Sequence, residues 1–175
     1  MVGAGIHKSN QGNNFMINID LIYLGNEKEK AYNDASDEYI KRLSAFCSFK
    51  QKNIKDEKLP SDPSESEIRA ALDKEAKKIS AELPERNYKI ALCIEGRQFS
   101  SEEFADMIDS VASKGYSGIS FVIGSSHGLA DSVKNMCDLK MSVSKMTFPH
   151  KLFRVMILEQ IYRAFSINNG SKYHK

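Results

Sequence analysis

The feature that most constrains this chain is a pair of short apolar runs, Y-K-I-A-L-C-I-E at 88–95 and I-S-F-V-I at 119–123. A strand with one wet face alternates apolar and polar residues. A nearly unbroken apolar strand is covered on both faces, as in the middle of a parallel sheet. Parallel neighbours cannot be joined by a tight hairpin and need a crossover, usually a helix. The intervening residues supply one: Ser100 and Glu103 have capping-box spacing, Phe104, Met107, Ile108 and Val111 recur on one helical face, and Gly115 provides a stop.

The same alternation runs along the rest of the chain. Residues 17–24 read as a strand, and Tyr32, Ala35, Tyr39 and Leu43 share one face of a following helix. Residues 46–54 form a second strand with polar edges, and 56–63 a loop containing Pro60 and Pro63. Ser64 and Glu67 repeat the capping-box spacing before a helix whose buried face is Ile68, Leu72, Ala76, Ile79 and Leu83, with its charged face assigned to solvent. Gly96 is read as the end of the 88–95 strand. Beyond Gly128 a short helix runs to about Cys137, then an alternating strand from Leu139, a loop at 144–150, and a helix with Pro149 near its start, where the missing N–H costs nothing. This order predicts an α/β fold, a single domain over residues 16–175 with a largely parallel sheet and right-handed crossovers. At 175 residues and 41% hydrophobic composition, one ordinary core is expected. Residues 1–15, rich in Gly and Asn and without periodicity, are read as a disordered or added extension ahead of a second start at Met16.

The last helix is apolar nearly all round. Within 152–165, Leu152, Phe153, Val155, Met156, Ile157, Leu158, Ile161, Tyr162 and Phe165 leave only a narrow polar edge around Arg154, Glu159, Gln160 and Arg163. A surface helix needs one apolar stripe, so the surplus predicts cover from a second chain and hence a homodimer. Charge is also uneven. From Lys140 onward seven Lys or Arg face one acid, Glu159, within a chain of net charge +2, which points to an anionic partner for the C-terminal region.

Other classes are disfavoured. The three cysteines, Cys47, Cys93 and Cys137, show neither C-x-x-C nor metal-ligand spacing, so reduced thiols and no metal are expected. No apolar run has membrane-spanning length, and residues 1–15 carry no secretory apolar segment. Ligands in open α/β sheets collect beyond the carboxyl ends of strands, which selects the loops after Glu95, at 124–128 and at 144–150. Gly124 and Gly128 would permit positive φ or close approach of backbone to a ligand. The run is neither a Rossmann fingerprint nor a phosphate-cradling loop, which leaves a nucleotide-dependent oxidoreductase poorly supported. His150, in the first turn of the last helix, reads equally as a packing or capping ring. The ending Tyr173-His174-Lys175 combines rings that stack on unpaired bases with cations that hold phosphates.

S-K-M-T-F-P-H at 144–150, R-V at 154–155, E-Q-I-Y-R-A-F at 159–165 and the terminal Y-H-K resemble the signature of the bacterial ribosomal RNA large subunit methyltransferase H family. That family belongs to the SPOUT class of S-adenosylmethionine-dependent methyltransferases. F-V-I-G-x-x-x-G at 121–128 is a second landmark, and the likeness spans about residues 16–175. The resemblance implies a C-terminal trefoil knot whose loops bind S-adenosylmethionine, largely through backbone groups. The matching positions are Leu92, Gly124, Val143, Ser144, Lys145, Met146, Thr147 and Phe148, with Met141 and Gly128 as neighbours. The family run has two adjacent glycines after the isoleucine; here Ser125 stands in place of the second.

The implied activity is that of a 23S rRNA (pseudouridine(1915)-N(3))-methyltransferase, working in the cytoplasm on the large ribosomal subunit or the assembled ribosome. The target imide nitrogen must lose a proton, and a nearby cation would stabilise the developing negative charge. Arg154 and His174 are the catalytic candidates, and Arg154, Tyr173, His174 and Lys175 the RNA-binding ones. The alternative is a non-enzymatic, ribosome-associated RNA-binding protein of the same fold.

Overall fold

A computed structural model describes residues 16–25, 29–171 and 173. The expected extension over residues 1–15, and the tail residues Lys172, His174 and Lys175, lie outside the described residues.

Among the described residues five strands and five helices alternate: β1 (Asn18–Leu24), α1 (Lys30–Leu43), β2 (Ser48–Ile54), α2 (Glu65–Glu82), β3 (Asn87–Gln98), α3 (Ser101–Ser113), β4 (Gly118–Ile123), α4 (Asp131–Met136), β5 (Leu139–Ser142) and α5 (His150–Asn168). The strands form one sheet in the order β2-β1-β4-β3-β5, and every pairing is parallel. The two apolar runs are its interior: β4 is central, buried at all six positions, with β1 and β3 on its flanks. Both expected capping boxes form. Ser64 Oγ accepts from Glu67 N–H while Glu67 accepts from Ser64 N–H at 2.8 Å, and Ser100 and Glu103 do the same.

The strand period of two divides the core between two layers. Ile119, Phe121 and Ile123 of β4 join Phe104, Ile108, Ile157, Leu158 and Ile161, so α1, α3 and α5 cover one face. Val122 joins Ile79, Leu129 and Val133 under α2 and α4 on the other.

Three details depart from the sequence expectation. The first is β3, which does not end at Gly96. Residues 93–96 stand out of the ladder, and Met141 of β5 pairs with both Leu92 and Arg97 across that interruption. A Cβ on Gly96 would lie 2.5 Å from the Met141 backbone, so only glycine lets the two segments approach this closely. Secondly, Arg154 does not belong to the polar edge of α5. It is 5% exposed, with its guanidinium 4.7 Å over the Tyr23 ring and donating to Asn33 Oδ1 at 2.6 Å. The helix turns inward at 154 because Ile157, Leu158 and Ile161 on the same flank are buried. The third is Glu75, which is not solvated surface: it is 4% exposed, between Ala71 and Ala76 on the buried face of α2.

Candidate functional site

In a parallel sheet all carboxyl ends lie on one side, and the loops leaving β3, β4 and β5 meet there. They enclose a cavity of about 710 Å³ walled by residues 92–95, 123–129, 142–144 and 146–150, with Lys134 and Phe153. That volume lies in the range of small-molecule and cofactor sites. Leu92, Ile123, Leu129, Val143 and Phe153 supply apolar wall, while the loops add backbone N–H and carbonyl groups.

The wall from β4 is a tight turn. Gly128 N–H donates to the Ser125 carbonyl at 2.9 Å, with Gly128 at φ +85°. Gly124 faces this closure edge-on: a Cβ there would sit 2.2 Å from the Gly128 carbonyl oxygen. The glycine is therefore required by the turn itself and not by positive φ, which Gly124 does not adopt. Ser125 Oγ donates to the buried Glu75 at 3.0 Å, and the other oxygen of that carboxyl accepts the Glu57 N–H at 2.9 Å.

The facing wall, between β5 and α5, is looser. Ser142 Oγ donates to the Ser144 carbonyl and Ser144 Oγ accepts the Met146 N–H at 3.0 Å, while Lys145, Met146 and Thr147 are exposed. At the rim, Lys134 Nζ pairs with Glu95 at 2.7 Å and with Asp131 at 2.9 Å. The hydrogen bond from Lys134 holds the Glu95 carboxyl below its usual range and raises the lysine in turn. Burial raises the Cys93 thiol, which lies on the same wall.

Of the sequence-selected positions, Leu92, Gly124, Gly128, Val143, Ser144, Met146, Thr147 and Phe148 line this cavity. Lys145 is exposed outside its wall, and Met141 lines a different groove, between β5, α3 and α5. Arg154 lies in a cleft with Tyr23, Glu29 and Asn33, which shares Ile123 and His150 with the cavity. Tyr173 folds back on α5, its ring 4.8 Å from that of Tyr162 and 5.0 Å from the Arg163 guanidinium. Its hydroxyl donates to Glu159 at 3.3 Å, and desolvation, with the neighbouring Tyr39 hydroxyl and the Glu159 carboxylate, pushes the phenol up to about 12. Sequence reasoning missed Glu95 and Lys134, which are joined only by the fold. Glu75 did leave a signal, as the lone acid beside Leu72, Ala76 and Ile79 on an apolar stripe. Among the described residues no cluster of His, Cys, Asp or Glu is placed to hold a metal ion, and no helix is long and apolar enough to cross a membrane.

A family model described as "Predicted SPOUT methyltransferase" matches residues 17–174. The chain is 49% identical over 157 residues to the ribosomal RNA large subunit methyltransferase H of Streptococcus thermophilus, covering 90% of this chain and 99% of the relative. Proteins of the same name from Clostridium acetobutylicum and Leuconostoc mesenteroides are 46% and 45% identical over 159 residues, covering 91% of this chain and 100% of each relative.

Proposed function

The chain belongs to the SPOUT methyltransferase family, and within it to the ribosomal RNA large subunit methyltransferase H proteins; from that membership we propose that it methylates N3 of a pseudouridine, position 1915, in the 23S rRNA of the large ribosomal subunit. The methyl donor in this reading is S-adenosylmethionine, and the setting is the cytoplasm. The observation that carries the reading is the 710 Å³ cavity bounded by the loops of β3, β4 and β5.

The cavity suits the donor. Apolar side chains can flank an adenine ring, and backbone groups of residues 92–95 and 142–144 are available to its polar edge. The Glu95 carboxyl, whose acidity Lys134 strengthens further, adds an anionic group for ribose hydroxyls or a cationic sulfur. Bound there, S-adenosylmethionine supplies an electrophilic methyl group for in-line displacement by the target nitrogen. Leu92, Gly124, Val143, Ser144, Met146, Thr147 and Phe148 hold and orient it, and Lys145 contributes through the path of the same loop. With the methyl group already activated, positioning supplies much of the acceleration.

Arg154, buried over Tyr23, steadies the start of α5 in this reading. His174 is then the candidate for polarising the base, with Tyr173 and Lys175 as RNA contacts. A homodimer is supported by the half-exposed strip Leu152, Val155, Met156, Glu159, Gln160 and Arg163 of α5, beside a groove of about 410 Å³ lined by Tyr39, Phe99 and Phe104. A C-terminal knot belongs to the same reading, from membership of the SPOUT family. The test is transfer of labelled methyl from S-adenosylmethionine to naked 23S RNA, to large subunits and to whole ribosomes, with the product nucleoside mapped. Incorporation at a base other than that pseudouridine would overturn the substrate. A folded protein that binds rRNA but not S-adenosylmethionine would favour a non-enzymatic RNA-binding protein.

A further inference from the structure

Ser125 departs from the double glycine of the resembled family, and the structure gives that departure a partner. Its hydroxyl donates to Glu75 Oε2 at 3.0 Å, while Glu75 Oε1 accepts the backbone N–H of Glu57 at 2.9 Å. Glu75 is 4% exposed, so both of its oxygens depend on these donors for the hydrogen bonds that water would otherwise give. A carboxyl set this deep in α2 is a fixed anchor, since the helix around it is buried through Ala71, Ala76 and Ile79.

Packing alone does not fix the turn that carries Ser125. On one side lies the 710 Å³ cavity, and on the other a second cavity of about 390 Å³ between the turn, the 56–60 loop and α2. Ser125, Ser126 and His127 line both. The turn is therefore a partition with free volume on either side. Its own backbone bond, Gly128 N–H to the Ser125 carbonyl, sets its shape but not its place.

We propose that Glu75, acting through the Ser125 hydroxyl, is a positioning residue that holds this partition at the spacing the methyl donor requires. The inference rests on the reading that the larger cavity binds S-adenosylmethionine. Without the tether the turn samples both cavities, and donor binding must select one position from several, which lowers apparent affinity by the competent fraction.

The test uses the full-length protein and S-adenosylmethionine itself. Calorimetry should show about a tenfold rise in dissociation constant for Ser125→Ala, the scale of one hydrogen bond to a charged group. Methyl transfer to ribosomal substrate should fall in proportion at low donor and recover as donor is raised, so that KM moves and kcat does not. Ser125→Thr, which keeps the hydroxyl, should restore affinity. Glu75→Gln keeps the oxygen that accepts from Glu57 and offers the serine only an amide, so a smaller rise is expected. Combined with Ser125→Ala it should add nothing further. Unchanged affinity in a folded Ser125→Ala protein, or a lower melting temperature with unchanged affinity, overturns the inference while leaving the donor site in place. Should Ser125→Ala not fold, Ser125→Gly carries the same comparison, and equal affinity there overturns it. Absence of binding in the unaltered protein overturns the donor reading and this inference with it.

Discussion

The turn at 124–128 is held by a closed backbone hydrogen bond, a glycine packed on its own turn and a side-chain tether to α2. The segment at 143–149 opposite it is held mainly by the local bonds of Ser142 and Ser144, with Lys145, Met146 and Thr147 exposed. Both wall the same cavity. One wall is built before any ligand arrives, and the other has side chains free to settle on one. A change in the first should therefore appear in the free protein as well as in the complex, and a change in the second mainly in the complex.

The largest break of that contrast is Gly124→Val. Its branched side chain meets the Gly128 carbonyl and Leu129, so the turn must move. Overpacking that displaces backbone costs roughly 1–3 kcal/mol. Donor binding should fall by more than about a hundredfold, since the wall itself is displaced. Thermal melting and calorimetry read both. A Gly124→Val protein with native melting temperature and native affinity would show that the turn is not a prebuilt wall.

Removing a ring from the looser wall should separate the two readouts. Phe148 is half-buried and lines the cavity. Phe148→Ala should weaken donor binding about tenfold, the loss expected for a partly buried aromatic face. Melting of the free protein should shift little. A large loss of stability without ligand would mean that 143–149 is as preformed as 124–128.

The unequal legibility of these walls in the sequence has a physical cause. β3 and β4 were readable because burial on both faces leaves a continuous apolar run, and α2 and α3 because a capping box is local. The position of Gly124 was readable, but its reason was not: a steric clash four residues downstream depends on the path of the turn. Arg154 was placed on the polar edge, and Glu75 was passed over among the charges of its helix, because a charge in the sequence does not say what lies opposite it. Asn33, Tyr23 and Ser125 come from 121, 131 and 50 positions away, measured from Arg154 to the first two and from Glu75 to the third. The interruption of β3 at 93–96 was invisible because it is made by Met141 passing beside it.

The rim pair offers a pH test. Lys134 depresses the Glu95 carboxyl, so the stability it contributes is present above the unfolded carboxyl value, near 4.5, and is lost as pH falls through the lower folded value. Lys134→Ala should return the Glu95 titration toward its ordinary range in a carboxyl NMR experiment. With the Glu95 side chain 56% exposed, the effect on stability at neutral pH should stay within about 1 kcal/mol. An unmoved titration would mean that the pair does not persist in solution.

The smallest expected effect is the most discriminating. Met146 is 70% exposed, an unusual position for a large apolar side chain on a cavity wall. In the free protein it has little packing to lose, so Met146→Ala should leave the melting temperature where it was. If the 143–149 segment settles on the methyl donor, part of that side chain is buried only in the complex. Full burial of a methionine is worth about 1.5–3 kcal/mol, and partial cover a fraction of that. Donor affinity should then fall about threefold, with the extra thermal stabilisation by donor reduced to match. Gly124→Val changes both states, whereas Met146→Ala should change the bound state alone. Equal affinity in Met146→Ala would mean that the segment stays open over the bound donor, which would leave the turn at 124–128 as the wall that grips it.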